Sequence, residues 1–397
     1  MSYSIAQLAP TPYFSDYGCH VRILEEVRAL KRLGHTSTVF TYPGGETPAG
    51  ADVVRGHRIP WQRGAHVGSH WNKFLLDPLL LITALTHGLS RNFDVVHAHL
   101  HEGALIGSII SKLKGIPLVF DFQGSLRAEM LDHGFISPND PLEAVFEALE
   151  RVINRLPARI ITSSDHSRNI LINHFDIPPE RVIQVTDCVD ATVFRPRTSN
   201  EVRAEQIRAT LKIPDNTLVV GYLGLLAGYQ GTPHLLEAAT RVLEEFPACH
   251  FLIMGYPGEH TYRALADRNG IGSSVTFTGR IPYADAPAYL SAIDVAVSPK
   301  LSETEGNGKL LNYMACAIPT VVYQAPVARE LLGEFGRFAL PGSPRSLAHE
   351  ILTLLTDANL RAELGDSLRR RACERFSWEA GARKIESIYD DVLAEAG

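Results

Sequence analysis

The sequence contains little cysteine. Its five cysteines are odd in number and widely scattered, a usage that excludes a disulfide framework and argues against a Cys-rich zinc site. They are Cys19, Cys188, Cys249, Cys316 and Cys373. Because free thiols persist in a reducing compartment, we expect a cytoplasmic protein.

Basic residues are not in excess. Lys and Arg total 38, Asp and Glu total 44, and the formal net charge is −6. A protein dedicated to nucleic acid needs a basic surplus to contact the phosphates. We therefore expect no nucleic-acid partner, although this balance still allows a local basic patch.

Long apolar runs are also missing. The first residues, MSYSIAQLAP, lack the basic and apolar regions of a secretory signal. The longest apolar stretch, 74–85, is interrupted by Asp77 and Pro78 and is shorter than the about 20 residues that span a bilayer. It predicts a packed helix beginning near Pro78. The alternative is a helix lying on a membrane surface, with Trp71 and Lys73 at the interface, which would make the protein peripheral at the inner membrane face.

Alternating strand and helix patterns fill the 397 residues, which are 45% hydrophobic and 21% charged. A strand over 4–9, a helix over 21–33 and a strand over 37–41 open the series. The series starts again at residue 218, after a polar stretch over 198–214 that we interpret as a linker. This pattern predicts an α/β protein of two doubly wound, Rossmann-like domains, 1–198 and 199–375, that face an interdomain cleft.

Unusual residues follow the predicted strands of the first domain, where open α/β sheets bind ligands. Gly18 precedes a helix whose backbone N–H groups a ligand could approach. His97, His99 and His101 are spaced two apart and would share a face of an extended chain. We expect one or two of these histidines to line the cleft, and a metal site is the alternative. Gln123 follows another strand.

Glycines gather after the strands of the second domain. Gly221, Gly224, Gly228 and Gly231 lie in one short turn region. Such glycine-rich turns can hold phosphate groups against backbone N–H groups.

A second polar loop follows the strand over 295–298. Gly306 and Gly308 precede a helix that we expect to open near Lys309. Backbone N–H groups, the helix dipole and the lysine would together make an anion site. The alternative is a polar loop that only begins a helix.

The order of these motifs resembles the family-4 glycosyltransferases of GT-B fold. The segments that carry the resemblance are FDVVHAHLHEG, RVIQVTDCVDATVFRP, GYLG with QGTPHLLEA, MGYPG, VTFTGRIPYADAPAYLSAIDVAVSPK, EGNGKLLNYMACAIPTVV and FSWEAGARKIESIY. The resemblance covers essentially the whole chain. It implies a sugar transfer from a nucleotide-sugar to a hydroxyl acceptor, with retention and with no bound metal or other cofactor.

The same resemblance implies where each substrate binds. The donor belongs mainly to the second domain, and the acceptor, a sugar, lipid or small molecule, to the first. The closing helix within 376–397 is expected to cross back and complete the first domain. The oligomeric state, monomer or homodimer, is left open.

The chain departs from the family pattern at the donor phosphates. Leu225 and Gln230 stand where the family carries an Arg and a Lys that face the diphosphate. Arg280, Lys300 and Lys309 are the cations that could supply the lost charge.

The family's pair of glutamates is also broken. Asn312 stands where the second glutamate would hold the ribose, and an amide can still bond to hydroxyls. Glu303 and Glu305 compete for the first position, and Glu305 is preferred because it directly precedes Gly306.

The resemblance implies Glu305, His99 and Gln123 as catalytic candidates. The donor-binding candidates are Gly18, Gly224, Gln230, Gly231, Arg280, Lys300, Glu303, Gly306, Asn307, Gly308, Lys309, Leu310 and Asn312. We predict an active glycosyltransferase. Two alternatives are a non-catalytic relative that binds a sugar nucleotide or a partner chain, and another GT-B activity such as sugar-nucleotide epimerisation.

Overall fold

The computed structural model describes residues 2–16, 18–59, 72–199, 201–214, 216–302 and 306–396. It contains a seven-stranded and a six-stranded sheet, each with helices on both faces. The neighbouring strands pair in parallel. The predicted fold class, two doubly wound Rossmann-like domains in a GT-B arrangement, is confirmed.

The first sheet has the strand order β3-β2-β1-β4-β5-β6-β7. Its strands are β1 (Ser4–Ala9), β2 (Thr36–Thr41), β3 (Asp52–Arg55), β4 (Val95–His99), β5 (Leu118–Phe122), β6 (Arg159–Thr162) and β7 (Val182–Gln184). The helices are α1 (Gly18–Arg32), α2 (Lys73–Gly88), α3 (Leu100–Lys114), α4 (Leu126–Asp132), α5 (Pro141–Ile153) and α6 (Asp165–Asn173). The central strands β4 and β5 are buried along their whole length because helices cover both sheet faces.

The second sheet has the strand order β10-β9-β8-β11-β12-β13. Its strands are β8 (Leu218–Leu223), β9 (Cys249–Met254), β10 (Val275–Phe277), β11 (Val295–Ser298), β12 (Thr320–Tyr323) and β13 (Arg337–Ala339). The helices are α7 (Glu201–Thr210), α8 (Thr232–Glu245), α9 (Glu259–Arg268), α10 (Ala286–Ser291), α11 (Lys309–Ala315), α12 (Pro326–Leu332), α13 (Pro344–Thr356) and α14 (Ala358–Arg375).

The last helix, α15 (Trp378–Ala396), packs on the first sheet. Its residues Ile385 and Tyr389 share a core cluster with Ile5 and Val95. The hydroxyl of Tyr389 also lies 2.6 Å from Nδ1 of the buried His97. The chain therefore returns to its first domain after completing the second.

One sequence-based expectation about a helix is wrong. Helix α2 begins at Lys73, and Pro78 lies inside it; the proline ring is on the exposed side, so it removes one backbone hydrogen bond without a clash in the core. The stretch taken as a linker contains α7, whose Arg208 pairs with Asp294 at 2.7 Å. Among the described helices, none has the length and apolar character required to cross a bilayer.

Candidate active site

A cavity of about 300 Å³ lies between the two domains, at the carboxyl ends of strands from both sheets. Both domains contribute to its walls, as expected for facing α/β sheets. The candidate residues that line it are Gly18, Gln123, Gly224, Gln230, Lys300, Gly306, Asn307, Gly308, Lys309 and Asn312. One cavity thus brings these candidates together, and their roles stay predictions. Glu303 and Glu305 lie outside the described residues.

Lys309 stands at the start of α11 and reaches towards the glycine-rich turn after β8. Its Nζ donates to the side-chain oxygen of Gln230 at 3.0 Å and lies 4.5 Å from the ring centre of Tyr222. A Cβ atom added at Gly224 would lie 2.7 Å from this Nζ. Glycine at 224 therefore makes room for the ammonium group beside Gln230.

Lys300 fixes the second polar loop of the same wall. Its Nζ donates to the carbonyl oxygen of Gly306 at 2.7 Å. The neighbouring Asn307 is buried and exchanges hydrogen bonds with Ser298 at 3.2 and 3.3 Å. The charged residues described on the second-domain wall are Lys300 and Lys309, both cations.

The first-domain wall contains a buried charge network that the sequence analysis missed. Arg22 donates to both carboxylate oxygens of Asp121, at 2.8 and 2.9 Å, and to Asp187 at 2.7 Å. Burial alone would raise the pKa of Asp121, but Arg22 and His99 lower it well below its ordinary value. Arg22 follows Gly18 by one helical turn, and this spacing could have predicted that both face the cavity.

Asp187 links this network to the second domain. A Cβ atom would lie 3.0 Å from Oδ2 of Asp187 if added at Gly306 and 3.4 Å if added at Gly308. The two glycines thus let the polar loop of the second domain approach an aspartate of the first. The carboxylate of Asp187 thus pairs with Arg22 and lies close to this loop of the second domain.

A second ionic group surrounds Lys73 on the first-domain wall. Nζ of Lys73 donates to Glu102 at 2.6 Å, and Glu129 and His101 line the cavity nearby. Burial opposes the charged form of Lys73, yet the carboxylates of Glu102 and Glu129 raise its pKa above the ordinary value. No motif in the sequence pointed to this pair, because its members come from different helices.

The prediction that His99 faces the cleft is wrong. Its ring is fully buried below the cavity, with Nδ1 3.1 Å from Asp121 and Nε2 2.8 Å from Gln7. The histidine that lines the cavity is His101, in the first turn of α3. The chain turns from strand to helix after His99, so the spacing of two does not keep the three histidines on one face.

Three donor-binding candidates are also not at the cavity surface. Arg280 points to Asp16, with Nε 2.9 Å from the carboxylate. Leu310 is fully buried in the core of the second domain. Gly231 has a φ of +75°, and a Cβ atom there would lie 1.9 Å from the carbonyl oxygen of Pro299. An ion pair therefore accounts for Arg280, core packing for Leu310, and close backbone packing for Gly231.

The sequence also allowed a metal site among His97, His99 and His101. Among the described residues, the group that comes close enough to share a metal ion is Glu26, His97 and His99, and all three are buried. Their ligand atoms lie within 4.8 Å of one another. Both ring nitrogens of His99 already have partners, and the cationic Arg22 contacts the same Asp121. Burial raises the pKa of Glu26 to about 7, so this carboxyl keeps its proton more readily than an ordinary glutamic acid. These features fit a buried polar network better than a metal centre.

Two groups of contacts hold the domains together beside the cavity. On one side, Asp16 accepts from Arg280 and from the backbone N–H of Tyr283 at 2.8 Å. On the other, Glu330 accepts from the N–H of Asp165 at 2.9 Å and from the amide of Gln184. Two separate groups of polar contacts therefore join the two domains.

The chain is similar to known glycosyltransferases over most of its length. Residues 17–188 match the family model "Glycosyl transferase 4-like domain", and residues 203–371 match "Glycosyl transferases group 1". The D-inositol 3-phosphate glycosyltransferase of Corynebacterium aurimucosum is 26% identical over 95% of this chain and 91% of its own length. The enzyme of the same name from Thermobifida fusca is 26% identical over 95% and 89%.

Solved structures share the fold over nearly the whole chain. A sucrose-phosphate synthase from Thermosynechococcus elongatus has a TM-score of 0.84 at 18% identity, covering 99% of this chain and 100% of that one. The Anabaena protein HepE in complex with UDP and glucose has a TM-score of 0.78 at 18% identity, covering 98% and 100%.

Proposed function

Because this chain is a glycosyltransferase of GT-B fold, we propose that it transfers a hexosyl group from a nucleotide-sugar donor to a hydroxyl group of an acceptor. The observation that carries the proposal is the distribution of charge in the interdomain cavity. Cations stand on the second-domain wall, and a mixed ionic network with three carboxylates, Asp16, Glu129 and Asp187, lines the first. A donor diphosphate therefore meets positive charge on the second wall, whereas the cations of the first wall, Arg22 and Lys73, are paired with carboxylates.

Lys309 is the group we assign to the leaving diphosphate. Its Nζ lies 3.0 Å from the side-chain oxygen of the neutral Gln230. Lys309 thus supplies the positive charge that the family's lysine would supply at position 230. Negative charge on the diphosphate grows as the sugar departs, so a nearby cation stabilises the transition state more than the bound donor. Lys300 acts alongside it through the loop that it holds at Gly306.

The nucleoside end of the donor is assigned to the same wall. Asn312 lines the cavity one helical turn after Gly308, and its amide can donate to and accept from ribose hydroxyls. Asparagine is neutral, so the ribose contact here lacks the negative charge of the family's glutamate. Glu305 is kept as the candidate for the first glutamate position on sequence grounds.

We further propose that transfer proceeds with retention and without a metal ion. The departing phosphate accepts the proton of the acceptor hydroxyl on the same face of the sugar, so no side-chain base is required. Lys300 and Lys309 provide the positive charge that a divalent cation provides elsewhere. Gln123 lines the cavity on the first-domain side and donates to Asp121 at 2.8 Å, which fits a residue that orients substrate hydroxyls.

The acceptor is proposed to bind against the first-domain wall, near Lys73, His101 and Glu129. These groups can donate to or accept from several hydroxyls at once, as a sugar or another polyol requires. The curated relatives are named for D-inositol 3-phosphate, so polyols and their phosphates are the first acceptors to test.

The experiment is a donor panel. Purified protein is incubated with UDP-, GDP- and ADP-sugars, with and without polyol acceptors, and release of the nucleoside diphosphate is measured. Turnover with one nucleotide, unaffected by EDTA and giving the same anomeric configuration in product and donor, supports the proposal. Tight nucleotide-sugar binding without turnover supports the non-catalytic alternative, and EDTA inhibition reversed by Mg²⁺ contradicts metal independence.

A further inference from the structure

The ring of His101 is held between two phenylalanines in the first-domain wall of the interdomain cavity. The residue lies in the first turn of α3 and is 4% exposed. Its ring centre lies 5.3 Å from that of Phe120 and 5.3 Å from that of Phe122, at interplanar angles of 69° and 77°. Edge-to-face packing of this kind restricts how a ring can turn. The core beneath the wall therefore sets the direction of each ring nitrogen.

The inner nitrogen of this ring faces the carboxyl group of Glu150. Nε2 of His101 lies 3.6 Å from Oε1 of Glu150, which belongs to α5 and is fully buried. Both atoms are buried, and neither has a hydrogen-bond partner among the described residues. The distance is slightly longer than a hydrogen bond, but such bonds at unliganded sites often tighten when substrate binds. Because unpaired buried polar atoms are costly, we expect a small side-chain shift to join the two.

The other oxygen of Glu150 binds the start of α4. Oε2 accepts from the hydroxyl of Ser125 at 2.9 Å and from the N–H of Arg127 at 3.0 Å, so a proton on this carboxyl belongs on Oε1, opposite His101. Burial raises the pKa of Glu150 to about 7 and lowers the pKa of His101 to about 4. Between these values both groups are uncharged. The acid then donates to Nε2, and the proton of the imidazole is on Nδ1.

Other charged groups approach this pair from the helices packed around it. They are Lys73 of α2, Glu102 of α3, Arg127 of α4 and Glu147 of α5. Lys73 and Glu102 shift the pKa of His101 in opposite directions and pair with each other at 2.6 Å. Glu147 raises the pKa of Glu150 further and lies 3.8 Å from Nε of Arg127. Burial exceeds each of these influences, so the two groups stay uncharged in the same pH range.

The cavity side of the ring is where this arrangement acts. His101 lines the cavity, and with Nε2 turned inward the nitrogen on the cavity side is Nδ1. We propose that Glu150 is a positioning residue, which keeps Nε2 of His101 as a hydrogen-bond acceptor and so presents Nδ1–H to a hydroxyl oxygen of the acceptor substrate. This role rests on the proposed binding of that substrate against the first-domain wall. Glu150 itself is fully buried and acts only through the ring.

The position of the ring proton is tested on the full chain without substrate. Histidine is labelled with ¹⁵N, and the NMR signals of the His101 ring are identified by their loss in His101→Phe. At pH 6 we expect the Nδ1–H tautomer in the wild type and in Glu150→Gln, whose amide N–H donates to Nε2 in place of the acid. At pH 8 the wild type should change to Nε2–H, because the ionised carboxylate then accepts, while Glu150→Gln keeps Nδ1–H. An Nε2–H tautomer in the wild type at pH 6, or the same pH response in both proteins, overturns the proposal.

The effect on the acceptor substrate is measured by steady-state kinetics at pH 6 with the donor and acceptor that give turnover. His101→Phe keeps a packed ring without nitrogens, and Glu150→Ala removes the group that orients it. Both should raise the acceptor KM by about fivefold or more and leave the donor KM unchanged, while Glu150→Gln should keep the wild-type value.

The matched control is Asn154→Ala, which removes another buried polar side chain at the end of α5 and should leave both KM values unchanged. An unchanged acceptor KM in His101→Phe overturns the proposal, and this variant decides the question even if Glu150→Ala does not fold. A chain that shows the expected tautomers but transfers no sugar contradicts the proposed function, whereas the positioning of His101 by Glu150 then stands.

Discussion

The ammonium group of Lys309 lies 3.0 Å from the side-chain oxygen of Gln230, although the two residues are 79 positions apart. Gly224 leaves the space that this ammonium group occupies. The sequence shows a neutral residue at 230, but the fold places a cation beside it. The positive charge at this wall therefore comes from helix α11, although the turn that contains position 230 is itself neutral there.

Lys309→Ala should lower kcat by about tenfold or more, with a smaller change in donor KM, because its charge is needed most as the diphosphate departs. Steady-state kinetics with the cognate donor measure both constants. Lys384→Ala, an exposed lysine on α15, is the matched control. The double variant Gln230→Lys with Lys309→Ala returns a cation to the same place and should restore part of the loss; unchanged kcat in Lys309→Ala would transfer the role to Lys300.

Asp16→Ala should open the contact between the domains more than Arg280→Ala does. Asp16 accepts both from the exposed Arg280 and from the N–H of Tyr283, while exposed ion pairs contribute only about 0.2–1 kcal/mol. Hydrogen exchange at the Tyr283 amide is the measurement. We expect faster exchange in Asp16→Ala and a protected amide in Arg280→Ala. Equal protection in the two variants would contradict this account.

Gly231→Ala should destabilise the second domain strongly. Its φ of +75° costs a side chain about 1–2 kcal/mol, and the new Cβ would lie 1.9 Å from the carbonyl oxygen of Pro299. Gly270→Ala is the matched control, since Gly270 has the same φ of +75° and open space around it. In urea unfolding, Gly231→Ala should lower the free energy of unfolding by about 2 kcal/mol more than the control does, or by a larger margin. Equal losses in the two variants would mean that the backbone at Pro299 moves aside at no cost.

Glu150 should make the native state less stable as pH rises. Burial raises the pKa of this carboxyl from 4.5 to about 7, so the native state holds a proton that the unfolded chain releases. The stabilisation is fully present below pH 4.5 and is lost as pH rises through 7, an effect of up to about 3 kcal/mol.

The measurement for Glu150 is the free energy of unfolding between pH 5 and 8. Glu150→Gln stays neutral while keeping an oxygen that can accept from Ser125 and the N–H of Arg127, as the carboxylate does at 2.9 and 3.0 Å. Its stability should fall less with pH than that of the wild type. Glu245→Gln, at an exposed position of α8, should follow the wild-type slope, and parallel slopes for all three proteins would refute the assignment.

Element positions could be predicted where local patterns are strong. The strands predicted over 4–9 and 295–298 are observed as Ser4–Ala9 and Val295–Ser298, because each of these largely apolar runs ends at a proline, Pro10 or Pro299. The strands Asp52–Arg55 and Arg337–Ala339 were not predicted. Both are short and lie at sheet edges, where few apolar residues are required, so their sequences have little strand pattern.

The site was predictable only in part, for a related reason. Gly18, Gly224 and Lys309 follow strands in sequence, and the strand ends of parallel sheets meet at one edge. Lys73 with Glu102 and Arg22 with Asp187 are pairs whose members belong to different elements. Their distances depend on how helices pack, which no local spacing records.

The sequence by itself determined the two α/β domains, the strand ends that carry polar residues, and the absence of an Arg and a Lys at 225 and 230. The tertiary structure decided which groups meet. It buried His99 beneath the cavity, turned Arg280 to Asp16, and placed Lys309 beside Gln230. The physical reason is that secondary structure follows from periodicity within about ten residues, whereas burial and charge pairing depend on side chains brought together from distant parts of the chain.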